Sequence, residues 1–221
     1  TPEYSYLTGK AFGNFEAMLS DLQEPLGETI PNFHNMEFRM SQLIEAVEND
    51  KFCRIDDPEE GDGRHPIDND PDHSDEVIAM IDEIDENSIE MCKAEQMFRE
   101  GVLPKRICHC DTKVNNILFD KDGNVLCVID LDTVMPSFIF SDFGDFLRTA
   151  ACTAAEDEPD TSKISFDMEI FKSFAKGYIE SAGGFLTDME KKNLPYAACM
   201  FPFMQAVRFL ADYLNGDVYY K

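Results

Sequence analysis

The chain has 221 residues, of which 43% are hydrophobic, and it carries a formal net charge of −25 at pH 7. This size allows the core of one domain or one large lobe, while the negative charge disfavours partners that are themselves anionic, such as nucleic acids and acidic membranes. The sequence has neither a membrane-length apolar stretch nor the basic and apolar segments of a secretory signal at its start, so we expect a cytoplasmic protein.

Two amphipathic helices are predicted near the N-terminus, because apolar residues recur there at helical spacing. The stripe of the first helix consists of Phe12, Phe15, Leu19 and Leu22, and that of the second consists of Met40, Leu43, Ile44 and Val47. The first pattern follows Thr8 and stops at Pro25, and a short loop around His34 separates the two helices. Such stripes usually pack against a core.

An acidic segment follows at 56–76, where prolines are frequent and apolar residues are few. This composition predicts a solvated loop. From Ser74 onward, apolar residues at helical spacing predict a long helix that continues to Phe98 and ends at Gly101 and Pro104.

The segment 107–132 carries the residues that point to chemistry. Two short apolar runs flank an Asp-Gly turn at 120–124, which predicts a β-hairpin. A hairpin returns the chain to its starting level, so Asp111, Asn116 and Asp130 should meet at one of its ends. Two carboxylates and an amide there offer the hard oxygen ligands that Mg²⁺ takes, together with a carboxylate that can act as a base.

Cysteine usage indicates reduced thiols, since the seven cysteines form an odd number without the spacing of a disulfide framework. Cys108 and Cys110 flank His109, but the sequence lacks the paired C-x-x-C knuckles of a zinc site. We therefore expect both cysteines to pack against the hairpin.

Further helices are predicted after the hairpin. Ser141 is predicted to be the N-cap of one helix. A capping box of Thr187 and Glu190 opens a final helical region that extends to Leu214 and should be interrupted or kinked at Pro195 and Pro202. Between them lies a third stripe, which consists of Phe166, Ile170, Phe174 and Tyr178. Together the patterns predict an α+β chain that is predominantly α-helical.

The spacing around the hairpin resembles that of a known group of enzymes. His109, Cys110 and Asp111 precede Asn116 as in the catalytic loop of kinases, and Asp130 follows the hairpin as a metal-binding Asp does. The arrangement is similar to the kinase-fold small-molecule phosphotransferases, which are the aminoglycoside phosphotransferase and choline kinase relatives of protein kinases. The resemblance implies a protein-kinase-like fold with a catalytic hairpin.

Two further segments narrow the resemblance. Residues 128–136 (VIDLDTVMP) and 142–145 (DFGD) are similar to the bacterial N-acetylhexosamine 1-kinases. The similarity is dense from about 107 to 148 and returns near the C-terminus at 208–216. It implies transfer of phosphate from ATP to the anomeric hydroxyl of an N-acetylhexosamine.

The resemblance also implies roles for individual residues. Asp111 would accept the proton of the sugar hydroxyl, and Lys113 would neutralise phosphate charge. Asn116, Asp130 and Asp132 would hold Mg²⁺ against the phosphates of ATP. Structural support for the loop is expected from His109, Asp142, Asp145 and Arg148, and the sugar pocket is expected to contain His34, Arg208, Asp212, Tyr213 and Tyr219.

Several of these residues also have a plainer interpretation, which the sequence leaves open. Lys113 and Arg208 could be solvated surface residues, and His34 could be a buried, hydrogen-bonded residue. Asp142 and Asp145 could contact sugar hydroxyls instead of supporting the loop.

A kinase of this fold also has an N-terminal lobe with a sheet, a phosphate-covering loop and a strand lysine. We find none of these patterns upstream of the hairpin, and the chain begins at Thr1 without an initiating Met. We therefore expect residues 1–221 to be the C-terminal catalytic and substrate-binding lobe of a longer enzyme, from which the N-terminal nucleotide lobe is absent. We expect this lobe alone to be inactive, because phosphoryl transfer depends on positioning of the triphosphate.

Two other functions stay open. A kinase of the same fold could act on another small alcohol, such as an aminoglycoside, choline or homoserine, and a sugar-binding module could have kept the fold without catalysis. The expected partners are a small-molecule sugar and ATP, without nucleic acid or membrane. The sequence leaves the hexosamine epimer and the oligomeric state open.

Overall fold

The computed structural model describes residues 1–55, 71–155 and 158–219, with only the backbone of 71–73. The predicted acidic loop therefore lies largely outside the described residues. Its last part is not a loop, because residues 71–76 already belong to a helix. Among the described residues, no helix combines the length and the apolar character needed to cross a bilayer.

Helices account for most of the described chain, so the prediction of a predominantly α-helical α+β protein is confirmed. The helices are α1 (Pro2–Leu19), α2 (Met36–Asn49), α3 (Pro71–Met91), α4 (Lys93–Arg99), α5 (Ile139–Ala150), α6 (Met168–Ala182), α7 (Asp188–Lys192) and α8 (Leu194–Leu214). The strands are β1 (Arg106–Cys108), β2 (Ile117–Phe119), β3 (Val125–Val128) and β4 (Met135–Ser137).

Several predicted helix boundaries are wrong for local reasons. Helix α1 starts at Pro2 because Thr1 caps it, and Leu22 lies beyond its end. The long helix predicted from Ser74 is divided at Cys92 into α3 and α4. Ser141 is not an N-cap, since α5 begins after Phe138.

Two of the C-terminal predictions have different outcomes. The capping box of Thr187 and Glu190 is confirmed, because the side chain of each residue accepts a hydrogen bond from the backbone N–H of the other. The helical region is interrupted at Asn193, two residues before Pro195, whereas Pro202 lies inside α8, which continues to Leu214.

The described residues fall into two compact units, 1–34 with 97–202 and 35–96 with 203–219. In the first unit, α1 and α6 pack so closely that their backbones are in contact. A Cβ atom added to Gly9 would lie 2.3 Å from the carbonyl oxygen of Phe174, and one added to Gly177 would lie 2.1 Å from that of Tyr6. These glycines allow an approach that any larger residue would prevent.

Aromatic side chains fill the core of the first unit around α5 and α6. The Phe146 and Phe174 rings stack at 4.0 Å between centroids, and Phe143 contacts Tyr178 at 5.3 Å. All four side chains are almost fully buried. This core supports the face of α5 that carries the DFGD motif.

The strands of the first unit are nested in a way that brings two loops together. Strand β2 pairs with β3 in the predicted hairpin, and β1 pairs with β4 outside it, both in antiparallel register. The loop between β1 and β2 (109–116) and the loop between β3 and β4 (129–134) therefore run side by side between the two pairs. The hairpin was predicted, but the outer pair was not.

The second unit contains α2, α3 and the last part of α8. Its buried apolar side chains include Met36, Met40, Leu43, Val77, Ile84, Val207 and Leu214. Near its C-terminal end, the Arg54 guanidinium lies 4.0 Å from the centroid of the Tyr213 ring and donates to Asp217 at 2.7 Å. These contacts join Arg54 to the last turn of α8 and to the segment that follows it.

Candidate active site

Asn116 connects the two loops at the end of the hairpin. Its Nδ2 donates to the backbone oxygen of Asp111 at 2.7 Å and to Oδ2 of the same residue at 3.0 Å. Its backbone oxygen accepts from the N–H of Ile129 at 2.9 Å, one residue before Asp130. Asp111, Asn116 and the chain at Asp130 are therefore brought together at one end of the hairpin.

One residue in each of the two loops has a left-handed backbone conformation. Cys110 has φ of 63° and Asp130 has φ of 64°, and neither is a glycine. Such conformations cost roughly 1 to 2 kcal/mol in an L-residue and persist where the surrounding contacts impose them. They turn the chain sharply just before Asp111 and at Asp130 itself.

The solvent-facing side of the loop 109–116, here called its outer side, carries an ion pair between Lys113 and Asp111. Lys113 Nζ lies 2.9 Å from Asp111 Oδ1, and the side chains are 49% and 20% exposed. The hydrogen bond to Asp111 raises the pKa of Lys113 above its ordinary value. Lys113 therefore stays positively charged beside a carboxylate that solvent can reach.

Oxygen ligands for a divalent cation are present at the same end of the hairpin. Because Nδ2 of Asn116 donates to Asp111, the amide oxygen of Asn116 is left for another partner. Asp130 and Asp132 are exposed and carry carboxylates. Amide and carboxylate oxygens are the donors that Mg²⁺ accepts, so these residues fit such an ion.

Asp142 holds the loop from its inner side. Its two oxygens accept the backbone N–H groups of His109 and Cys110, each at 2.7 Å, and its side chain is completely buried. The hydroxyl of Thr112 also donates to the backbone oxygen of Asp142, at 2.7 Å. Burial raises the pKa of Asp142, whereas the two backbone N–H groups lower it.

The imidazole of His109 bridges the loop and the hairpin. Its Nε2 lies 2.9 Å from the carbonyl oxygen of Ile129, and its Nδ1 accepts the N–H of Asp111 at 3.3 Å. These two contacts fit a neutral ring with its proton on Nε2. The rings of Phe12 and Phe15 pack edge-on against it at 5.5 and 5.6 Å.

Asp145, one turn after Asp142 on α5, forms an ion pair with Arg148 at 3.1 Å. Burial raises the pKa of Asp145 to about 6, although the charge of Arg148 opposes this shift. The charge of Asp111 raises the pKa further and that of Lys113 lowers it. Asp145 is thus electrostatically linked to the outer side of the loop.

Sequence reasoning missed one residue beneath the loop. Glu16 on α1 is 1% exposed, and the hydroxyl of Tyr178 donates to its Oε2. One ligand atom each of Glu16, Cys108 and Asp142 lie within 4.8 Å of one another. A signal was present, since Glu16 follows Phe12 by one helical turn and so falls on the predicted apolar face.

His34 and the two cysteines beside His109 occupy buried positions in the first unit. The His34 ring stacks on Phe33 at 4.2 Å and meets Phe201 edge-on at 4.8 Å. Cys108 and Cys110 are buried and reduced, and burial raises the pKa of both thiols well above the ordinary value.

The other residues predicted for the sugar pocket lie in the second unit, where they have protein contacts. Arg208 donates to Gln205 at 3.2 Å, and the carboxylate of Asp212 accepts the N–H of Tyr219 at 3.0 and 3.1 Å. The ring of Tyr213 is covered on one side by Arg54. Their role in substrate binding stays a prediction.

Comparison with known proteins identifies the family. The structure of an aminoglycoside-3'-phosphotransferase of type VIII is similar to this chain, with 18% sequence identity, a TM-score of 0.40 and coverage of 92% of this chain. This chain spans 62% of the length of that protein. Residues 4–168, which include both loops and α5, match the phosphotransferase enzyme family, APH. The chain therefore belongs to the phosphotransferase enzyme family.

Proposed function

We propose that the chain is the catalytic and substrate-binding lobe of an ATP-dependent kinase that phosphorylates the anomeric hydroxyl of an N-acetylhexosamine. The observation that supports this most is the position of Asn116. Its side chain contacts Asp111, and its backbone contacts Ile129 next to Asp130. A base and a metal ligand at one end of a hairpin are what phosphoryl transfer requires.

Asp111 acts as the base in this proposal. It accepts the proton of the sugar hydroxyl while the hydroxyl oxygen bonds to the γ-phosphorus of ATP. The bond between that phosphorus and the bridging β-γ oxygen breaks, and ADP leaves. General-base assistance of this kind accelerates a reaction by roughly 10²- to 10⁴-fold.

Charge neutralisation comes from the residues around Asp111. Lys113, 2.9 Å from Asp111, offers a cation for the transferred phosphate. Asn116, Asp130 and Asp132 would hold Mg²⁺, which when bound supplies further positive charge to the phosphates. The buried contacts of Asp142 keep the backbone before Asp111 in place while the phosphates bind.

The choice of an N-acetylhexosamine rests on the resemblance of 128–136 and 142–145. His34, Arg208, Asp212, Tyr213 and Tyr219 are proposed as sugar-binding residues on the same basis. A cytoplasmic location is part of the proposal, since ATP is the co-substrate.

The natural protein that contains this chain should be assayed for ADP release from ATP and Mg²⁺ with a panel of N-acetylhexosamines, aminoglycosides, choline and homoserine. We expect turnover with an N-acetylhexosamine only and phosphate on the anomeric oxygen of the product. Turnover with another alcohol would replace the substrate assignment, and sugar binding without turnover would indicate a non-catalytic module. The 221-residue chain, assayed in parallel, is expected to have no measurable turnover.

A further inference from the structure

Two buried carboxyl groups, those of Glu16 and Asp142, lie next to each other beneath the loop 109–116, which is the catalytic loop of the proposed function. Glu16 Oε2 accepts the hydroxyl of Tyr178, whereas its Oε1 is buried and receives no hydrogen bond from the described residues. A carboxylate oxygen of Asp142 lies within 4.8 Å of a carboxylate oxygen of Glu16. The structure thus leaves one acid oxygen without a donor beside a second acid.

Two adjacent carboxylates in a protein interior do not both ionise, because each charge is poorly solvated and repels the other. Asp142 is the better anion, since two backbone N–H groups donate to it at 2.7 Å. Burial, and then the charge of Asp142, raise the pKa of Glu16 well above its ordinary value, while the Tyr178 hydrogen bond opposes this. The proton therefore belongs on Glu16.

We propose that Glu16 is protonated in the folded chain and donates its proton to Asp142, so that Glu16 is a positioning residue for the catalytic loop. The neutral acid completes the hydrogen bonding of the Asp142 carboxylate without adding a second buried charge. Asp142 in turn fixes the N–H groups of His109 and Cys110, the two residues before Asp111. The catalytic consequence rests on the proposed function, whereas the protonation does not.

The surroundings of Glu16 favour a proton over a metal ion. Cys108 completes a group of three ligand atoms with Glu16 and Asp142. One oxygen of Glu16 already accepts the hydroxyl of Tyr178. Both oxygens of Asp142 also already accept backbone N–H groups.

The titratable groups around Glu16 come from every element that packs near it. They are Asp142 on α5, Tyr178 on α6, Glu190 on α7, Arg106 and Cys108 on β1, and Cys110 in the loop. Arg106 is the cation of this group, and its guanidinium donates to both oxygens of Glu190 at 2.9 Å. Its charge is therefore compensated by Glu190 and does not require an ionised Glu16.

Infrared spectroscopy of the wild-type chain tests the protonation directly. With carbon-13 in the glutamate side-chain carboxyls, we expect a carboxylic-acid carbonyl band at pH 7 that shifts with the label. The band should be missing from Glu16→Gln and present in Glu180→Gln. Absence of a label-sensitive acid band from the wild-type spectrum would overturn the proposal, as would a stoichiometric metal that is lost in Glu16→Gln.

The Tyr6–Glu180 pair provides the matched control, because it also joins α1 to α6 but lies at the surface. Above the ordinary pKa of 4.5, the folded chain keeps the Glu16 proton that the unfolded chain loses. The folding equilibrium constant should then fall with rising pH, relative to Glu16→Gln, by up to tenfold per pH unit until the folded pKa is reached. Glu180→Gln should follow the wild type, and parallel curves for wild type and Glu16→Gln would contradict the proposal.

Activity of the natural protein separates positioning from mere stability. We expect Glu16→Ala to lower kcat at least tenfold with little change in KM, and Glu16→Gln to recover most of kcat, because the amide also donates to Asp142. An unchanged kcat for folded Glu16→Ala would reject the positioning role even if the infrared band is present. If the wild type lacks kinase activity, the infrared and folding measurements still decide the protonation, and only the proposed function fails.

Discussion

The loop 109–116 meets solvent on one side and the core on the other, and the two sides differ in how the carboxylates beside them are held. On the outer side, Asp111 pairs with a half-exposed Lys113 and with the amide of Asn116. On the inner side, the buried Asp142 binds two backbone N–H groups and lies beside Glu16. Asp111 and Asp142 thus both contact the short backbone segment 109–111 or belong to it.

The difference indicates how one short loop can be well fixed and still be available for the chemistry that we propose. An ion pair that solvent can reach contributes only about 0 to 1 kcal/mol to folding, so Asp111 and Lys113 can exchange partners at little cost. A buried acceptor of two backbone hydrogen bonds is costly to remove, because the donors stay buried without a partner. The inner side therefore carries stability, and the outer side carries the residues that we propose for the chemistry.

Asp111→Asn should have the largest effect on activity, and it alters contacts only on the outer side of the loop. The amide cannot accept the substrate proton, so we expect kcat of the natural protein to fall roughly 10²- to 10⁴-fold, or about 3 to 5 kcal/mol in the barrier. The free energy of unfolding should change by less than about 1 kcal/mol. Steady-state kinetics and urea unfolding measure the two quantities.

Asp122→Asn is the control for that substitution, since Asp122 is exposed in the turn at the opposite end of the same hairpin. It should leave both kcat and stability unchanged. Turnover in Asp111→Asn equal to that of the wild type would reject Asp111 as the base.

Asp142→Ala should remove the hydrogen bonds on the inner side of the loop. Two buried N–H groups lose their acceptor, and we expect the free energy of unfolding of the chain to fall by about 3 to 5 kcal/mol. Asp167→Ala is a matched comparison, because Asp167 also accepts two backbone N–H groups but does so at the exposed N-terminus of α6. It should cost only about 1 kcal/mol. Equal losses for the two variants would show that burial of the acceptor is not what matters.

Asp145→Asn should have a smaller effect that depends on pH. Burial moves the pKa of Asp145 from 3.8 to about 6 in the folded chain, and each unit of pKa difference from the unfolded chain corresponds to about 1.4 kcal/mol. Because the folded pKa is raised, this group's stabilising contribution is complete below pH 3.8 and is lost as the pH rises through about 6.

The test is urea unfolding of wild type and Asp145→Asn between about pH 4 and pH 7. Their difference in unfolding free energy should change by about 2 to 3 kcal/mol over this range, with the wild type losing stability relative to the variant as the pH rises. A constant difference between wild type and Asp145→Asn would show that Asp145 has an ordinary pKa.

The amino-acid sequence determined those features that depend on neighbouring residues. The Asp-Gly turn specifies the hairpin of β2 and β3, and the Thr187 capping box specifies the start of α7, since each acts within a few residues. The order of several short motifs, from residues 109–111 and Asn116 through Asp130 to 142–145, likewise indicated the phosphotransferase family before any contact was known.

Only the tertiary structure decided which distant residues meet. The pairing of β1 with β4 places the two loops side by side, although the three-residue strands carry no sequence signal of their own. Glu16 accepts a hydrogen bond from Tyr178, which is 162 residues away in the sequence, because glycines let α1 and α6 approach closely. Contacts of this kind depend on how whole elements pack. The sequence could place Glu16 on the apolar face of a helix, but only the packing of α1, α5 and α6 showed that it meets Tyr178 and Asp142.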